Sequence, residues 1–406
     1  MRTMFKALLL ACGICGMVST AQAAPACSWQ AAWASAQMSP DAANAMPAAG
    51  MTGATLRQIV RPTLGANKLR VRFSNAFGRT PLVILGAGLA RSSDNRSDRI
   101  DPTTRRTLTF EGAAGVTIPP GADWLSDPVS LDVKAFDDLA ISLRANGDPA
   151  SQTAHPGSRA TSYIAAGDQI AAATLTGATP VDHWYLLSGV EVERCAVANG
   201  IVTLGDSITD GRGATTNGND RWPDVLARRL GGKAAVLNQG IGGNRVLLDG
   251  LGPSAMARLD RDVLAQPGVR YVLVLEGIND LGGFTRLETR TPAERKAFVT
   301  QLTGAYAQIV ARGRARGLKV YGATIMPDTG SDYYHPDAAT EADRQAINAW
   351  IRAPGHFDAV VDFDKVTRDP ADPARLAPAF DSGDHLHPNP AGYKAMGEAV
   401  PLALFR

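Results

Sequence analysis

The chain reads IVTLGDSITDG from Ile201 to Gly211. Its first four residues form a short apolar run of the kind found in strands that are buried on both faces of a sheet. Glycine and aspartate follow this run as turn formers, so we expect Ser207 at a turn between a strand and a helix. Open α/β sheets bind their ligands at the carboxyl ends of strands, and Ser207 is expected to lie at such an end.

Four more apolar runs follow the first one, and helical stretches separate them. The runs are residues 234–237, 271–275, 319–325 and 359–363. The clearest helix begins after Thr291, because Pro292 takes the first helical position and Glu294 completes a capping box. Strands that alternate with helices predict an α/β fold, here a doubly wound, flavodoxin-like parallel sheet.

Three further short motifs follow the serine turn in a fixed order. They read GIGGN at residues 240–244, GIND at residues 277–280 and DHLHP at residues 384–388. The first two come after the second and third predicted strands, and the last lies in a C-terminal loop. Because the carboxyl ends of parallel strands meet at one edge of a sheet, we expect the motifs to lie together at that edge.

The motifs contain the groups that serine-based acyl transfer requires. Ser207 is a candidate nucleophile, and His387 is a candidate general base. Asp384 precedes that histidine by three residues in a tight turn, so its carboxylate can fix the tautomer and the orientation of the ring. The backbone of Gly243 and the side chain of Asn279 can donate hydrogen bonds to an oxyanion.

Each motif taken alone has other interpretations. A serine at such a turn is more often a cap, and Asn279 alone is more often a turn residue. The glycine-rich stretches lack the Gly-Lys-Ser/Thr of a phosphate loop, the spacing of a dinucleotide loop and the G-x-S-x-G of a nucleophile elbow. Asp384, His385 and His387 could instead bind a metal, although three ligands within four residues leave few positions for a closed coordination sphere.

In combination, the four motifs resemble those of the SGNH hydrolases, the GDSL esterase and lipase superfamily, over about residues 199–406. The resemblance implies that Ser207 is the nucleophile, with His387 as its general base and Asp384 as the partner of that base. It also implies that an ester substrate is hydrolysed through an acyl-enzyme, without a metal or an organic cofactor. The sequence gives no sign of an obligate protein partner.

The resemblance further implies three oxyanion donors. They are the backbone N–H groups of Ser207 and Gly243 and the side-chain amide of Asn279. Many relatives carry serine where this chain has Gly242, so Gly240 remains the alternative glycine donor.

The N-terminal region has a different pattern. Residues 69–74, LRVRFS, alternate between apolar and polar side chains, which is typical of a half-buried strand. Turn-forming clusters such as residues 75–78 and 146–149 separate similar stretches. We therefore predict an all-β domain of the sandwich or jelly-roll type over residues 24–197, before the SGNH domain at residues 198–406.

This β-rich region resembles the domain that precedes the catalytic domain in secreted GDSL proteins similar to xylan-degradation esterases. The matching stretches are residues 28–33, 70–75 and 77–78. The resemblance implies an esterase that removes acetyl groups from a glycan. Two alternatives stay open, a broad-specificity carboxylesterase or lipase and a glycan-binding protein with a vestigial hydrolase domain.

The two histidines of the β-rich region, His155 and His183, lie in no motif that resembles an acid–base pair. We therefore expect this region to supply no catalytic group. Asp206 and Asp210 flank the candidate nucleophile, and we expect them to hold its loop by hydrogen bonds.

The chain begins with the pattern of a secretory signal peptide. Arg2 and Lys6 precede an apolar run over residues 7–17, and an A-x-A site ends at Ala23. We expect cleavage of residues 1–23 after about Ala23 and a secreted or periplasmic protein, with a retained N-terminal anchor as the alternative. No other stretch approaches the ~20 apolar residues of a membrane span, so no stable membrane insertion is expected.

The charge balance argues against a nucleic-acid partner. The chain of 406 residues has 41 lysines and arginines and 39 aspartates and glutamates. Loss of the signal peptide removes two positive charges and no negative one, which leaves 39 of each sign. A neutral chain without a basic tract has no bulk electrostatic attraction to nucleic acid or to an anionic membrane.

The cysteines predict one disulfide. Cys12 and Cys15 have C-x-x-C spacing, but they lie in the predicted signal peptide. The mature chain keeps Cys27 and Cys195, and two lone cysteines usually pair in an oxidising compartment. Two buried free thiols are the alternative.

Overall fold

The structure is a computed structural model, and it describes residues 27–196 and 199–406. The predicted signal peptide, residues 1–23, lies outside the described residues, and so does the pair Cys12 and Cys15. Within the described residues, no helix is long and apolar enough to cross a membrane.

The N-terminal region is built from antiparallel strands. In chain order they are β1 (Ser28–Ala34), β2 (Thr52–Val60), β3 (Ala66–Ser74), β4 (Leu82–Arg91), β5 (Arg106–Leu108), β6 (Val116–Ile118), β7 (Asp123–Leu125), β8 (Val129–Val133), β9 (Leu139–Asn146), β10 (Ala154–His155), β11 (Ser162–Ala165), β12 (Thr179–Val181), β13 (Trp184–Tyr185) and β14 (Leu187–Arg194). One sheet has the order β1-β14-β3-β7, with β8 also on β3. The other has the order β12-β11-β2-β9-β4-β5, with β6 also on β4, and β10 and β13 form a separate two-stranded ribbon.

The predicted alternation in β3 decides which of its side chains enter the core. Leu69, Val71 and Phe73 are fully buried, whereas Arg70 between them is part-exposed and pairs with Glu191 of β14 at 2.6 Å. Buried apolar side chains of both sheets belong to one continuous core. This is the antiparallel, β-rich region that the sequence predicts.

The C-terminal region has a parallel sheet whose strands alternate with helices. The strands are β15 (Gly200–Gly205), β16 (Val236–Gly240), β17 (Val269–Leu275), β18 (Lys319–Ala323) and β19 (Ala359–Val361). The helices are α1 (Ser207–Asp210), α2 (Trp222–Leu230), α3 (Ala255–Leu259), α4 (Ile278–Thr285), α5 (Pro292–Ala315), α6 (Ala338–Arg352), α7 (Phe363–Thr367) and α8 (Pro390–Ala399). The sheet order β16-β15-β17-β18-β19 is the 2-1-3-4-5 order of flavodoxin-like sheets, and the predicted α/β fold is confirmed.

Local signals account for the boundaries that matter most. Thr291 and Glu294 form the predicted capping box of α5, with Glu294 N–H donating to Thr291 Oγ1 at 3.3 Å and Thr291 N–H donating to Glu294 Oε2 at 2.8 Å. Strand β19 ends earlier than predicted, at Val361. The reason is that Asp362 caps α7 by accepting a hydrogen bond from Lys365 N–H at 3.1 Å.

The two regions contact each other along β16, which is an edge strand of the parallel sheet. Thr63 Oγ1 accepts a hydrogen bond from Val236 N–H of β16 at 2.9 Å. Strand β1 packs against the same edge, and Ala31 N–H donates to Pro267 O at 2.9 Å. Apolar side chains of both regions share one core, so the β-rich region covers this edge of the sheet.

Cys27 and Cys195 form the predicted disulfide. Strands β1 and β14 pair antiparallel with Ser28 opposite Arg194, so one further step along the same register brings the two cysteines together. They are 168 residues apart in the chain and bracket all of the strands β1–β14. The bridge therefore closes the β-rich region on itself.

The variant Cys27→Ser/Cys195→Ser should have a lower free energy of unfolding than the oxidised protein, because its unfolded chain lacks the cross-link. The chain-entropy model gives a loss of up to about 5 kcal/mol for a loop of this length. Urea unfolding measures the difference, and the wild-type protein in excess reductant is the control that should match the variant. Two alkylatable thiols in the unreduced native protein would contradict the bridge.

Candidate active site

The serine motif forms the turn between β15 and α1. Ser207 is the first residue of α1, and Asp206 caps that helix by accepting a hydrogen bond from Ile208 N–H at 2.9 Å. Gly205 leaves no room for a side chain, because a Cβ there would lie 2.1 Å from Thr209 Oγ1. The turn thus presents Ser207 at the carboxyl end of β15.

Ser207, His387 and Asp384 form one hydrogen-bonded chain. Ser207 Oγ lies 2.8 Å from His387 Nε2, and His387 Nδ1 lies 2.6 Å from Asp384 Oδ2. Because the carboxylate accepts the Nδ1 proton, Nε2 of the neutral ring can accept the proton of the serine hydroxyl. Ser207 and His387 are 7% and 8% exposed, so the contact between them is largely shielded from water.

Asp384 is held in its ionised form. Its Oδ1 accepts hydrogen bonds from the backbone N–H groups of Leu386 and His387, at 3.1 and 2.8 Å. Partial burial raises the pKa of this carboxyl group, but the hydrogen bonds from the ring and the backbone of His387 outweigh burial and hold the pKa well below its usual range. Asp384 is therefore charged at neutral pH and keeps the ring in the Nδ1–H tautomer.

The intervening His385 faces a different partner. Its Nδ1 lies 2.5 Å from Asp381 Oδ2, and its backbone adopts a left-handed φ of 58°. Asp384, His385 and His387 therefore do not converge on one point, as a shared ion would require. Among the residues that the structure describes, no group of three or more His, Cys, Asp or Glu side chains could hold a metal ion.

The glycine loop after β16 leaves one N–H group free. Gly240 N–H donates to Asn238 Oδ1 at 2.9 Å, and Gly242 N–H donates to Asp210 Oδ2 at 3.0 Å. Gly243 N–H has no protein acceptor in residues 27–196 and 199–406, and Gly243 lines the same cleft as Ser207. The geometry therefore favours Gly243 over the alternative, Gly240, as the backbone donor.

Asn279, near the start of α4, is held at both ends of its amide. Its Nδ2 donates to Asn244 O at 2.7 Å, and its Oδ1 accepts a hydrogen bond from the hydroxyl group of Tyr334 at 2.6 Å. These two bonds fix which end of the amide is the donor. The second N–H of Nδ2 is left for the cleft, which Asn279 lines together with Ser207.

A buried arginine joins the strand ends that carry the motifs. Arg258 of α3 is 1% exposed, and its guanidinium donates to Gly205 O at 3.0 Å and to Gln239 O at 2.6 Å. It also donates to Asn244 Oδ1 at 2.9 Å and lies 3.4 Å from Glu276 Oε1, directly after β17. One side chain therefore contacts the ends of β15, β16 and β17. No sequence motif marks this arginine.

Buried carboxyl groups follow the ends of β15 and β17. Burial raises the pKa of Asp206 and of Glu276, although Arg258 opposes the rise in both. Burial also raises the pKa of Asp280 to about 6, against hydrogen bonds from two backbone N–H groups of the loop after β16. The floor of the site is thus poorly hydrated, and hydrogen bonds there act more strongly than in water.

Asp210 connects the site to the β-rich region. Its Oδ1 lies 3.0 Å from Nε2 of His155, which belongs to β10. Asp206 holds the serine loop by its hydrogen bond from Ile208 N–H, as expected from the sequence, whereas Asp210 accepts its hydrogen bond from Gly242 N–H and so holds the glycine loop after β16. The β-rich region therefore contributes a side chain to the site, although no motif in the sequence marks it.

The site opens into a cleft of about 920 Å³ that both regions of the chain line. Its wall includes four arginines, and none of them forms an ion pair with another described residue. They are Arg159 from the β-rich region and Arg212, Arg245 and Arg286 from the C-terminal region. The cleft thus offers several hydrogen-bond donors beside the serine.

Comparison with known families identifies the C-terminal region. Residues 203–395 match the model of the GDSL-like lipase/acylhydrolase family. This part of the chain is a GDSL-like lipase/acylhydrolase domain, and the predicted resemblance to the GDSL esterases and lipases is confirmed. The protein is an ester hydrolase.

Solved structures that are similar to this chain match about half of it. A GDSL-like lipase from Bacteroides thetaiotaomicron is 18% identical, covers 51% of this chain and 87% of its own, and has a TM-score of 0.39. The aryl esterase of M. smegmatis is 16% identical, with coverages of 50% and 96% and a TM-score of 0.37. An acetyl xylan esterase is 18% identical, with coverages of 49% and 96% and a TM-score of 0.37. Comparison with curated proteins finds no match.

Tyr334→Phe should lower kcat about tenfold with little change in KM, because the amide of Asn279 then loses one of the two bonds that fix its orientation. Asn279→Ala should lower kcat further, by roughly 10²–10³, as expected for loss of an oxyanion donor. Steady-state kinetics on a p-nitrophenyl ester measures both effects. In the Asn279→Ala background, Tyr334→Phe should add nothing, and a further tenfold loss there would contradict this role of the tyrosine.

Proposed function

We propose that the protein is a secreted serine esterase that hydrolyses short-chain esters through an acyl-enzyme on Ser207. The observation that carries the proposal is the chain of two short contacts, 2.8 Å from Ser207 Oγ to His387 Nε2 and 2.6 Å from His387 Nδ1 to Asp384 Oδ2. In this proposal residues 198–406 are the catalytic domain, residues 24–197 are the β-rich domain and residues 1–23 are a cleaved signal peptide. The disulfide suits an oxidising compartment.

The first half of the proposed reaction forms the acyl-enzyme. His387 Nε2 takes the proton of Ser207 as Oγ attacks the ester carbonyl, and the charged Asp384 stabilises the imidazolium that forms. The N–H groups of Ser207, Gly243 and Asn279 donate hydrogen bonds to the carbonyl oxygen and stabilise the negative charge that develops on it. His387 then gives its proton to the leaving alcohol, and the carbon–oxygen bond to that alcohol breaks.

The second half of the reaction returns the enzyme to its starting state. His387 takes a proton from water, and the hydroxide attacks the acyl carbonyl. The same three donors stabilise the second oxyanion. When the bond to Ser207 Oγ breaks, His387 returns its proton to the serine and the acid leaves. The steps use side chains and backbone N–H groups of this chain and one water molecule.

An acetylated glycan is the proposed substrate. Arginines without ion-pair partners line the cleft, and their N–H groups can donate to the hydroxyl or carboxylate oxygens of a sugar. The β-rich region forms part of the wall through Pro156, Gly157 and Arg159, so a polymer could contact both regions while one acetyl group reaches the serine.

A second candidate is a broad-specificity carboxylesterase or lipase, and the rim of the cleft favours it. Among the described residues, five large apolar side chains are exposed. Leu251, Leu287 and Tyr333 line the cleft, and Leu248 lies on the same loop as Leu251. Such an apolar rim could hold a longer acyl chain. A vestigial hydrolase is disfavoured because the contact between serine and histidine is intact.

Ser207→Ala should lower ester turnover by several orders of magnitude while the fold persists, since the residues of such a chain act as a unit. A fluorophosphonate reagent should label Ser207 in the wild-type protein and nothing in the variant. Mass spectrometry of the labelled peptide and hydrolysis of p-nitrophenyl acetate measure the two effects. Ser254→Ala, which changes a helix cap outside the cleft, is the control. A Ser207→Ala variant with near-normal turnover would refute the proposal.

The acyl specificity should separate the two candidate substrates. A glycan esterase releases acetate from acetylated xylan and prefers p-nitrophenyl acetate to the octanoate, whereas a lipase has the opposite order. If the apolar rim binds acyl chains, Leu251→Ser lowers kcat/KM for the octanoate more than for the acetate. Leu85→Ser is the matched control, because Leu85 is the exposed apolar side chain that lies on β4, away from the cleft. Equal effects of both variants would exclude an acyl-binding rim.

A further inference from the structure

His155 and Asp210 form a buried pair between the two regions of the chain, and the mechanism above uses neither of them. Their side chains are 4% and 5% exposed, and His155 Nε2 lies 3.0 Å from Asp210 Oδ1. On its other side, His155 Nδ1 lies 2.8 Å from Ala36 O. The imidazole ring also stacks on the ring of Trp184, with 5.7 Å between centroids. The ring is thus fixed by contacts within the β-rich region.

The partners of this pair determine where its protons lie. The carbonyl oxygen of Ala36 can only accept, so Nδ1 of His155 carries a proton. Asp210 Oδ2 accepts the hydrogen bond from Gly242 N–H at 3.0 Å. The contact between Nε2 and Oδ1 then needs one more proton between the two atoms. With that proton the pair has no net charge, which is the state that burial favours.

Asp210 connects the histidine to the proposed oxyanion site. It holds Gly242 N–H, and the next N–H along the chain is that of Gly243. Asp210 and Ser207 lie on the same short helix, α1, so the carboxylate sets the position of the glycine loop relative to the nucleophile. The β-rich region packs tightly against the carboxylate, because a Cβ at Gly157 would lie 1.8 Å from Asp210 Oδ2.

We propose that His155 is a positioning residue of the esterase, which acts through Asp210 to keep the N–H of Gly243 directed at the oxyanion. This inference rests on the proposed function and adds a residue of the β-rich region to it. The β-rich region then affects the rate of the chemical step through His155, in addition to any contact that it makes with the substrate. His155 itself touches no reacting atom.

The direct test is the variant His155→Leu, which removes both hydrogen bonds of the ring. We expect kcat for p-nitrophenyl acetate to fall about 10- to 100-fold, because a displacement of about 1 Å at such a site costs up to ~10²-fold. KM should stay within about twofold, since the donor acts on the transition state. His155→Gln can still donate an N–H to Asp210, so its kcat should lie between those of the wild type and His155→Leu.

A matched control comes from the same region. His183 is part-buried, and its Nδ1 also lies 2.7 Å from a backbone carbonyl, that of Pro156. No carboxylate is paired with it among the described residues. His183→Gln should therefore have near-normal kcat and KM. This control separates the effect of the pair with Asp210 from the general effect of changing a histidine in the β-rich region.

A double-mutant cycle tests whether His155 acts through Asp210. In the Asp210→Ala background, which lacks the acceptor for Gly242 N–H, His155→Leu should lower kcat little further, because the route to Gly242 is already broken. Additive losses would overturn the proposal, and so would a folded His155→Leu with normal kcat or with only a raised KM. If His155→Leu does not fold, as judged by near-UV circular dichroism, the kinetics of His155→Gln and Asp210→Ala decide the question. Turnover that survives in Ser207→Ala would refute the proposed function instead, so the two failures are distinguishable.

Discussion

The buried guanidinium group of Arg258 is the contact on which the rest of the site depends. It donates to the carbonyl groups of Gly205 at the end of β15 and of Gln239 near the end of β16 and to the side chain of Asn244, and it lies beside Glu276 after β17. A cation with 1% exposure is tolerable only while all of these oxygens stay in place, because an unpaired buried charge costs several kcal/mol. The arginine therefore fixes the relative positions of the ends of β15, β16 and β17. The loops that carry the motifs can then be short and still hold fixed positions.

Two of the three proposed oxyanion donors, Gly243 and Asn279, are held in place by buried groups. Asp210 holds the peptide next to Gly243, while Tyr334 and Asn244 hold the amide of Asn279. Donors that are fixed before the substrate binds need no reorganisation when the oxyanion forms, and in many hydrolases this preorganisation contributes more to the rate than any other effect. The supporting groups are themselves buried and paired. The proposed catalytic geometry is thus a property of the packed core as much as of the cleft surface.

The parallel sheet and the meeting of Ser207, Asp384 and His387 at one site can be predicted from the sequence, because each motif is recognised locally and the carboxyl ends of parallel strands lie at one edge of the sheet. A buried strand, a capping box or a histidine three residues after an aspartate can be recognised in a short stretch of sequence. The supporting groups could not be found in this way. His155 lies 55 residues from Asp210, and Tyr334 lies 55 residues from Asn279. Only the folded chain brings these pairs together, and the types of residue involved are common in cores.

The cover that the β-rich region provides over β16 has a consequence for how the protein can be divided. The backbone of an edge strand has unpaired N–H and C=O groups that can add a strand from another molecule. Here Thr63 Oγ1 accepts a hydrogen bond from Val236 N–H, and β1 packs along the same edge. If the C-terminal region were produced without the β-rich region, it would expose that edge together with the apolar surface beside it. Such a fragment would associate with its own copies. The β-rich region therefore also prevents self-association through β16.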